Sequence, residues 1–450
     1  MMVIQENTKK TLNFVYDSWV LDLTIPPLAE VLGDSDFREP HGYLDFYQRF
    51  FSAQLGYSRD IFTVKKFKIE DVYENKNETF YYPIKTSWGL SDIFKATDLP
   101  KSVNKCLREC DNIKLLYIRE HEPETRPDIN ALRIYCKKYQ IPENRFIIIS
   151  NNPKIDDYIK EYKSDFIFHR TNLLQMTSAA VWNELESKFV PKKEGKFFCC
   201  FNKTPKRHRI ATLMELKRYQ ILDYTNWSMI VDYKRNREDT EPDAFLAEFE
   251  YYLGDITTKK GIMDSILSGG VKKSDHEATL QMNNGDFSKV HKKDIEGAGG
   301  EAGGVMVPET HENFEQSYVN IVTESYFDDN WDAIHVTEKS TRPFFYYQLP
   351  IIMATKGHIK FMEEKWGFDF YRDIIDHSYN DIDDGHKRFQ AAISEIKRLN
   401  KSHDFIKKFY LENQERFEKN KQIVQNLPND DSDMKFFIFS LQGLVENKLT

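Results

Sequence analysis

A chain of 450 residues exceeds what one ordinary core supports, so two or three domains are expected. Aromatic residues make up 14% of it, with 33 Phe and 24 Tyr, which excludes an intrinsically disordered chain. A net charge of −8 excludes a protein that attracts nucleic acid over its whole surface, leaving room only for a local basic groove.

The opening MMVIQENTKK lacks the apolar stretch of a signal peptide. No run approaches the roughly 20 apolar residues of a membrane span, so a cytoplasmic protein without a span is expected. Cys106, Cys110, Cys136, Cys199 and Cys200 form no CxxC pair and no disulfide framework, and read as buried, reduced thiols.

In chain order, Leu12–Leu21 (LNFVYDSWVL) reads as an opening strand. Tyr43–Leu55 has the spacing of a helix with an aromatic stripe facing the core. Asn112–Ile118 (NIKLLYI) is a strand ending in the polar burst Arg119-Glu120-His121-Glu122. Pro127–Tyr139 fits an amphipathic helix and Arg145–Ser150 (RFIIIS) a second strand. Strand, helix, strand predicts a parallel α/β layer, in which ligands sit beyond the carboxyl ends of the strands. Glu120 and Glu122 fall at such an end.

Pro191–Gly195 reads as a linker, Lys196–Phe201 (KFFCCF) as a strand, and Ile210 to Arg218 as a helix. The run 269–305, with GAGGEAGG at Gly297–Gly304, is expected to be a mobile surface loop. A phosphate-cradling glycine loop needs a strand before it and a helix after it, and neither is visible. Tyr318–Thr323, Trp331–Val336 and Leu349–Ala354 are the next ordered apolar runs, and the helices Gly385–Leu399 and Asp404–Gln422 close the chain.

Three clusters carry chemistry. Lys203-Thr204-Pro205-Lys206-Arg207-His208-Arg209 lies between a strand and a helix, where free backbone N–H groups and the helix dipole favour anions. Arginine adds a planar fork matched to phosphate oxygens, although a solvated basic loop has the same letters. His335-Val336-Thr337-Glu338-Lys339 offers Thr337 as a helix N-cap and an adjacent carboxylate and ammonium, which equally suit a plain surface ion pair. Pro343 requires that this helix start after Lys339 or kink. Glu324 is the third, a carboxylate at the end of the strand YVNIVT. No HExxH occurs, and Asp381-Ile382-Asp383-Asp384 reads as a capping turn, so no metal site is expected.

Taken jointly, FFCCFNKTPKRHR (Phe197–Arg209), YVNIVTES (Tyr318–Ser325), VTEKSTRPFFYYQLPIIMA (Val336–Ala354), GFDFY (Gly367–Tyr371) and DHSYNDIDDGHKR (Asp376–Arg388) resemble fucosyltransferase-like and exostosin-like glycosyltransferases, a group that includes many proteins of tailed phages and giant viruses. The resemblance implies an α/β protein of GT-B architecture, two Rossmann-like domains facing a cleft and closed by C-terminal helices. Domains are then expected at 1–190 (acceptor side), 191–385 (nucleotide sugar) and 386–450 (helices packing across both). It implies a hexosyl- or pentosyltransferase whose donor is a GDP- or UDP-sugar, with no permanently bound cofactor. The acceptor would be a hydroxyl of a glycan, a protein or a modified base in phage DNA, and the compartment the host cytoplasm if the chain is viral. By position, Arg209 would contact the diphosphate, with Arg207 beside it; Lys339 would neutralise it, Glu338 would bind the ribose, Glu324 and Thr337 would line the pocket, and Asn202 would shape the loop. Related fucosyltransferases carry a tyrosine where His335 stands. An inverting transfer further needs a carboxylate to take the acceptor's proton, for which Glu122 or Glu120 is positioned. The alternative is a non-catalytic nucleotide-binding α/β protein.

Overall fold

The computed structural model describes residues 10–15, 62–86, 98–119, 123–170, 187–192, 196–202, 206–228, 279–280, 290–291, 314–327 and 332–427. The chain forms two compact units, Met1–Thr177 with Asp332–Ile334 and Pro428–Thr450, and Ser178–Trp331 with His335–Leu427.

The first unit is built on six strands: Lys10–Val15 (β1), Phe62–Phe67 (β2), Phe80–Thr86 (β3), Ile113–Arg119 (β4), Phe146–Ser150 (β5) and Ile167–Arg170 (β6). Their order is β2-β1-β3-β4-β5-β6 and every pairing is parallel. All five residues of β5, FIIIS, are buried, as in a parallel sheet covered on both faces. The covering helices are Ile69–Glu74 (α1), Lys101–Glu109 (α2), Arg126–Tyr139 (α3) and Ile155–Tyr162 (α4). Helix α3 starts at a capping box between Thr125 and Asp128 with Pro127 in the first turn, and ends where Gln140 turns left-handed at φ 58°. In the same unit Asp332 pairs with Lys154 at 2.6 Å and Arg126 at 3.1 Å.

The second unit has a four-stranded sheet of Phe198–Phe201 (β7), Thr225–Ser228 (β8), Val319–Thr323 (β11) and Leu349–Met353 (β12), with a two-residue antiparallel ladder between Thr279–Leu280 (β9) and Val290–His291 (β10). The four-stranded order is β12-β11-β7-β8, all parallel. Pro350 lies in β12, an outer strand of that sheet among the described residues, where a missing N–H is tolerated. Its helices are Arg207–Arg218 (α5), Glu338–Phe345 (α6), His358–Trp366 (α7), Gly385–Asn400 (α8), His403–Glu412 (α9) and Gln414–Asn426 (α10). Ile393, Ile396, Ile406, Phe417 and Val424 of the last three helices share one core with Ile321 and Ile351 of the sheet. Residues 187–192 are fastened to α9, α10 and the end of α6: Phe189 stacks on Tyr410 at 4.5 Å, Lys192 Nζ donates to the Tyr346 carbonyl at 2.8 Å, and Lys421 Nζ donates to the Ser187 carbonyl.

The mixed α/β class with two parallel, doubly wound sheets agrees with the sequence, and two local expectations are corrected. Helix α5 begins at Arg207 rather than Ile210, because Arg209 N already donates to the Lys206 carbonyl at 3.0 Å. Helix α6 begins at Glu338, directly after the expected Thr337 cap, and contains Pro343, which withholds the donor that the Lys339 carbonyl would meet. The single tail helix expected over Asp404–Gln422 is two, broken at Asn413, whose Nδ2 bonds the Phe409 carbonyl at 2.8 Å in competition with the backbone. Residues 16–21 of the opening run, Tyr43–Leu55, and 269–305 apart from the short ladder lie outside the described residues. Cys199 and Cys200 are both buried free thiols, their ionisation pushed up to about 12 by burial.

Candidate functional site

In the second unit the strand order reverses between β7 and β11: the chain steps from β7 outward to β8, then returns to the other side of β7 for β11 and β12. Such a reversal opens a crevice at the strands' carboxyl ends, where the two flanking connections leave in opposite directions. Asn202 follows β7 and Thr323 ends β11, and the Thr323 hydroxyl donates to Asn202 Oδ1, tying the two ends together. Helices α5 and α6 follow these same strands, so both begin at this edge with their unpaired N–H groups and positive dipole ends. His208, in the first turn of α5, donates from Nε2 to the Glu324 carbonyl at 2.8 Å, and Arg209 Nη2 donates to the Thr323 carbonyl at 3.2 Å.

The Glu324 side chain, with 0% exposure, is the centre of the arrangement. Its carboxylate accepts from the Thr337 N–H at 3.1 Å, the Thr337 hydroxyl at 2.8 Å, the Ser340 hydroxyl at 2.5 Å and the Ser325 N–H at 3.2 Å. Thr337 also caps α6, its Oγ1 accepting from Lys339 N at 3.2 Å. Burial alone would push Glu324 up, but Lys339, His358 and the hydroxyls of Ser340 and Thr337 outweigh it and hold the carboxyl below its ordinary range. Ser340 Oγ also meets His358 Nε2 at 2.9 Å. Serine, not histidine, is the middle member of this trio, and all three side chains are buried, so the trio fixes a carboxylate and is no hydrolase triad.

Above this buried layer, Lys339 Nζ pairs with Glu338 Oε1 at 2.6 Å, while Arg342 Nη2 lies 3.9 Å from the same oxygen. Lys206 Nζ donates to the Ser325 carbonyl at 2.7 Å and lies 5.3 Å over the Tyr326 ring. His335 packs edge-on to Tyr326 at 5.3 Å, and its Nδ1 meets no hydrogen-bond partner. Burial, reinforced by Lys339, keeps its ionisation well below the usual imidazole value, and burial does the same for His208, so both rings are neutral.

Asn202, Arg209, Glu324, His335, Thr337, Glu338 and Lys339 thus gather around one strand end, with Arg207 in the first turn of α5. Glu120 and Glu122 lie outside the described residues. Two residues beyond Glu122, Glu124 is fully buried; it accepts from the Ser150 hydroxyl, and its carbonyl accepts from Asn152 Nδ2 at 2.7 Å. Sequence reasoning missed Ser340, which a T-x-x-S cap pattern would have flagged, and His358, whose approach to Ser340 has no local signal. Among the described residues, no three or more His, Cys, Asp or Glu side chains gather as for a metal ion, and no helix is long and apolar enough to cross a membrane.

No protein-family model matches the chain, and no curated protein matches it. Among solved structures it is similar to the T4 phage BGT in complex with its UDP-glucose substrate, at 11% identity and TM-score 0.37 over 97% of this chain and 99% of that one. It is also similar to a UDP-forming α,α-trehalose-phosphate synthase from Burkholderia xenovorans in complex with glucose-6-phosphate, at 9% identity and TM-score 0.41 over 90% of this chain and 84% of that one. At TM-scores this low neither protein's chemistry carries over.

Proposed function

We propose that the chain is a glycosyltransferase of GT-B type that moves a sugar from a nucleoside-diphosphate donor, a GDP- or UDP-hexose or -pentose, to an acceptor hydroxyl. One observation carries this reading: at the β7/β11 reversal, two helix N-termini and the cations Lys206, Arg209 and Lys339 surround a strand end whose carboxylate is already satisfied. Glu324 is occupied by hydroxyls and backbone, so the carboxylate that Lys339 meets is Glu338, which a diphosphate at the α6 N-terminus would displace.

In this reading Lys339 and the α6 N-terminus hold the diphosphate, with Arg209 and Arg207 behind it. Glu338 exchanges its ammonium partner for ribose hydroxyls. As the acceptor oxygen bonds to the anomeric carbon, the bond to the diphosphate breaks and negative charge grows on the departing oxygen, where these donors act. The acceptor's proton goes to a carboxylate of the first unit, Glu122 or Glu120. A glycan, a protein or a modified base in phage DNA would each supply such a hydroxyl.

Calorimetric titration with UDP, GDP and CMP, followed by assay of UDP- and GDP-sugar hydrolysis, tests this. We expect one diphosphate to bind, with affinity reduced at least tenfold in Lys339→Ala, together with slow turnover of the matching sugar nucleotide. No binding by any nucleotide, or unchanged binding in Lys339→Ala, overturns it. Binding without turnover on any sugar nucleotide would leave a nucleotide-binding protein in its place.

A further inference from the structure

Resting on that reading, we infer that His335 is a proton-dependent ligand of the diphosphate: it binds the anion as imidazolium, so that donor binding draws one proton from solution. The geometry behind this is a buried ring with an unused nitrogen beside a group of cations. His335 is 4% exposed, and its Nδ1 has no partner. A buried polar atom without a partner costs free energy, and such atoms are few in folded proteins. The charged and titratable groups that bear on the ring are Lys339 and Glu338 from α6, His358 from the start of α7 and Lys206 from the entry to α5, with the Tyr326 ring against its edge. Cations outnumber the one carboxylate among them, so without ligand the ring is held neutral, as its lowered ionisation also indicates.

A diphosphate seated between Lys339 and Lys206 reverses the sign of that field. Opposite charge within a few ångströms favours the imidazolium and raises a histidine's ionisation. The proton converts both ring nitrogens into donors and gives Nδ1 an acceptor among the phosphate oxygens. A tyrosine or glutamine at this position could donate a hydrogen bond but could not add charge. Donor affinity should therefore fall as pH rises, by up to tenfold per unit where the proton is exchanged.

The test is calorimetry of UDP-glucose and GDP-mannose binding to the full chain, in two buffers of different ionisation heat, from pH 6 to 8. The diphosphate of these probes is esterified at both ends and does not itself titrate near neutrality. We expect net proton uptake on binding in the unaltered protein, and none in His335→Gln, whose affinity becomes flat with pH. Imidazole carbon NMR of the unaltered protein, with and without ligand, reads the same proton should the variant fail to fold. Binding without proton uptake, or uptake that survives in His335→Gln, overturns the inference and leaves the transferase reading standing. If neither probe nor any free nucleoside diphosphate binds, the transferase reading itself falls and the inference with it.

Discussion

A carboxylate buried as fully as Glu324 stays ionised only when donors and cations outweigh its lost hydration. Thr337, Ser340, Lys339 and His358 supply that excess. The sign of the pH dependence follows. A carboxyl held low in the folded state contributes stability above its unfolded ionisation, and that stability is lost as pH falls through the folded value. Buried His358 and His377 are held down to about 4 from an ordinary 6.5, because burial disfavours the imidazolium. The unfolded chain therefore binds more protons between those values, and stability drops as pH falls from about 6.5 to about 4. The full contribution of one such histidine is roughly 3 kcal/mol. Urea midpoints measured at pH 7, 6 and 5 should fall progressively, and His358→Gln should flatten the decline. An unchanged slope in that variant would show that His358 is not held neutral.

At the scale of elements, the start of α6 does two jobs through one residue. Thr337 caps the helix and donates two hydrogen bonds to Glu324. Thr337→Ala loses the cap, about 1 kcal/mol, and leaves a buried carboxylate short of a donor, about 1–3 kcal/mol more. Thr337→Ser keeps both and should cost far less. Thermal denaturation of the two variants decides this, equal losses counting against the dual role. This element was legible in sequence: the cap residue, the acid and the lysine are contiguous, and capping is a local matter. The buried strands β5 and β12 were legible for the same kind of reason, since FIIIS and LPIIM are apolar without a break. The start of α5 was not, because three basic residues in a row have the letters of a loop. Nor was the break at Asn413, where a side chain competes for a carbonyl that either outcome would satisfy.

At the scale of the whole molecule, two hydrophobic cores are distinct: one around β3, β4 and β5, the other around β7, β11, β12 and the closing helices. Each should unfold as its own transition, because cooperative units follow cores. Ile351→Ala in β12 and Ile148→Ala in β5 each remove a fully buried side chain, at a cost of about 2–5 kcal/mol. In calorimetry, Ile351→Ala should lower one transition and Ile148→Ala the other. Equal shifts of a single transition in both variants would contradict this division.

Sequence alone determined the class and the ingredients. Alternating strands and helices with apolar strand runs dictate parallel α/β sheets, and basic and acidic residues at strand ends are read directly, since both signals are short-range. Only the tertiary structure decided that β11 pairs with β7, and hence that Asn202 and Thr323 meet. It likewise brought His208 to the Glu324 backbone and His358 to Ser340. Those contacts arise from strand order, which is fixed by how distant segments bury their apolar faces together and leaves no local mark on the residues it joins.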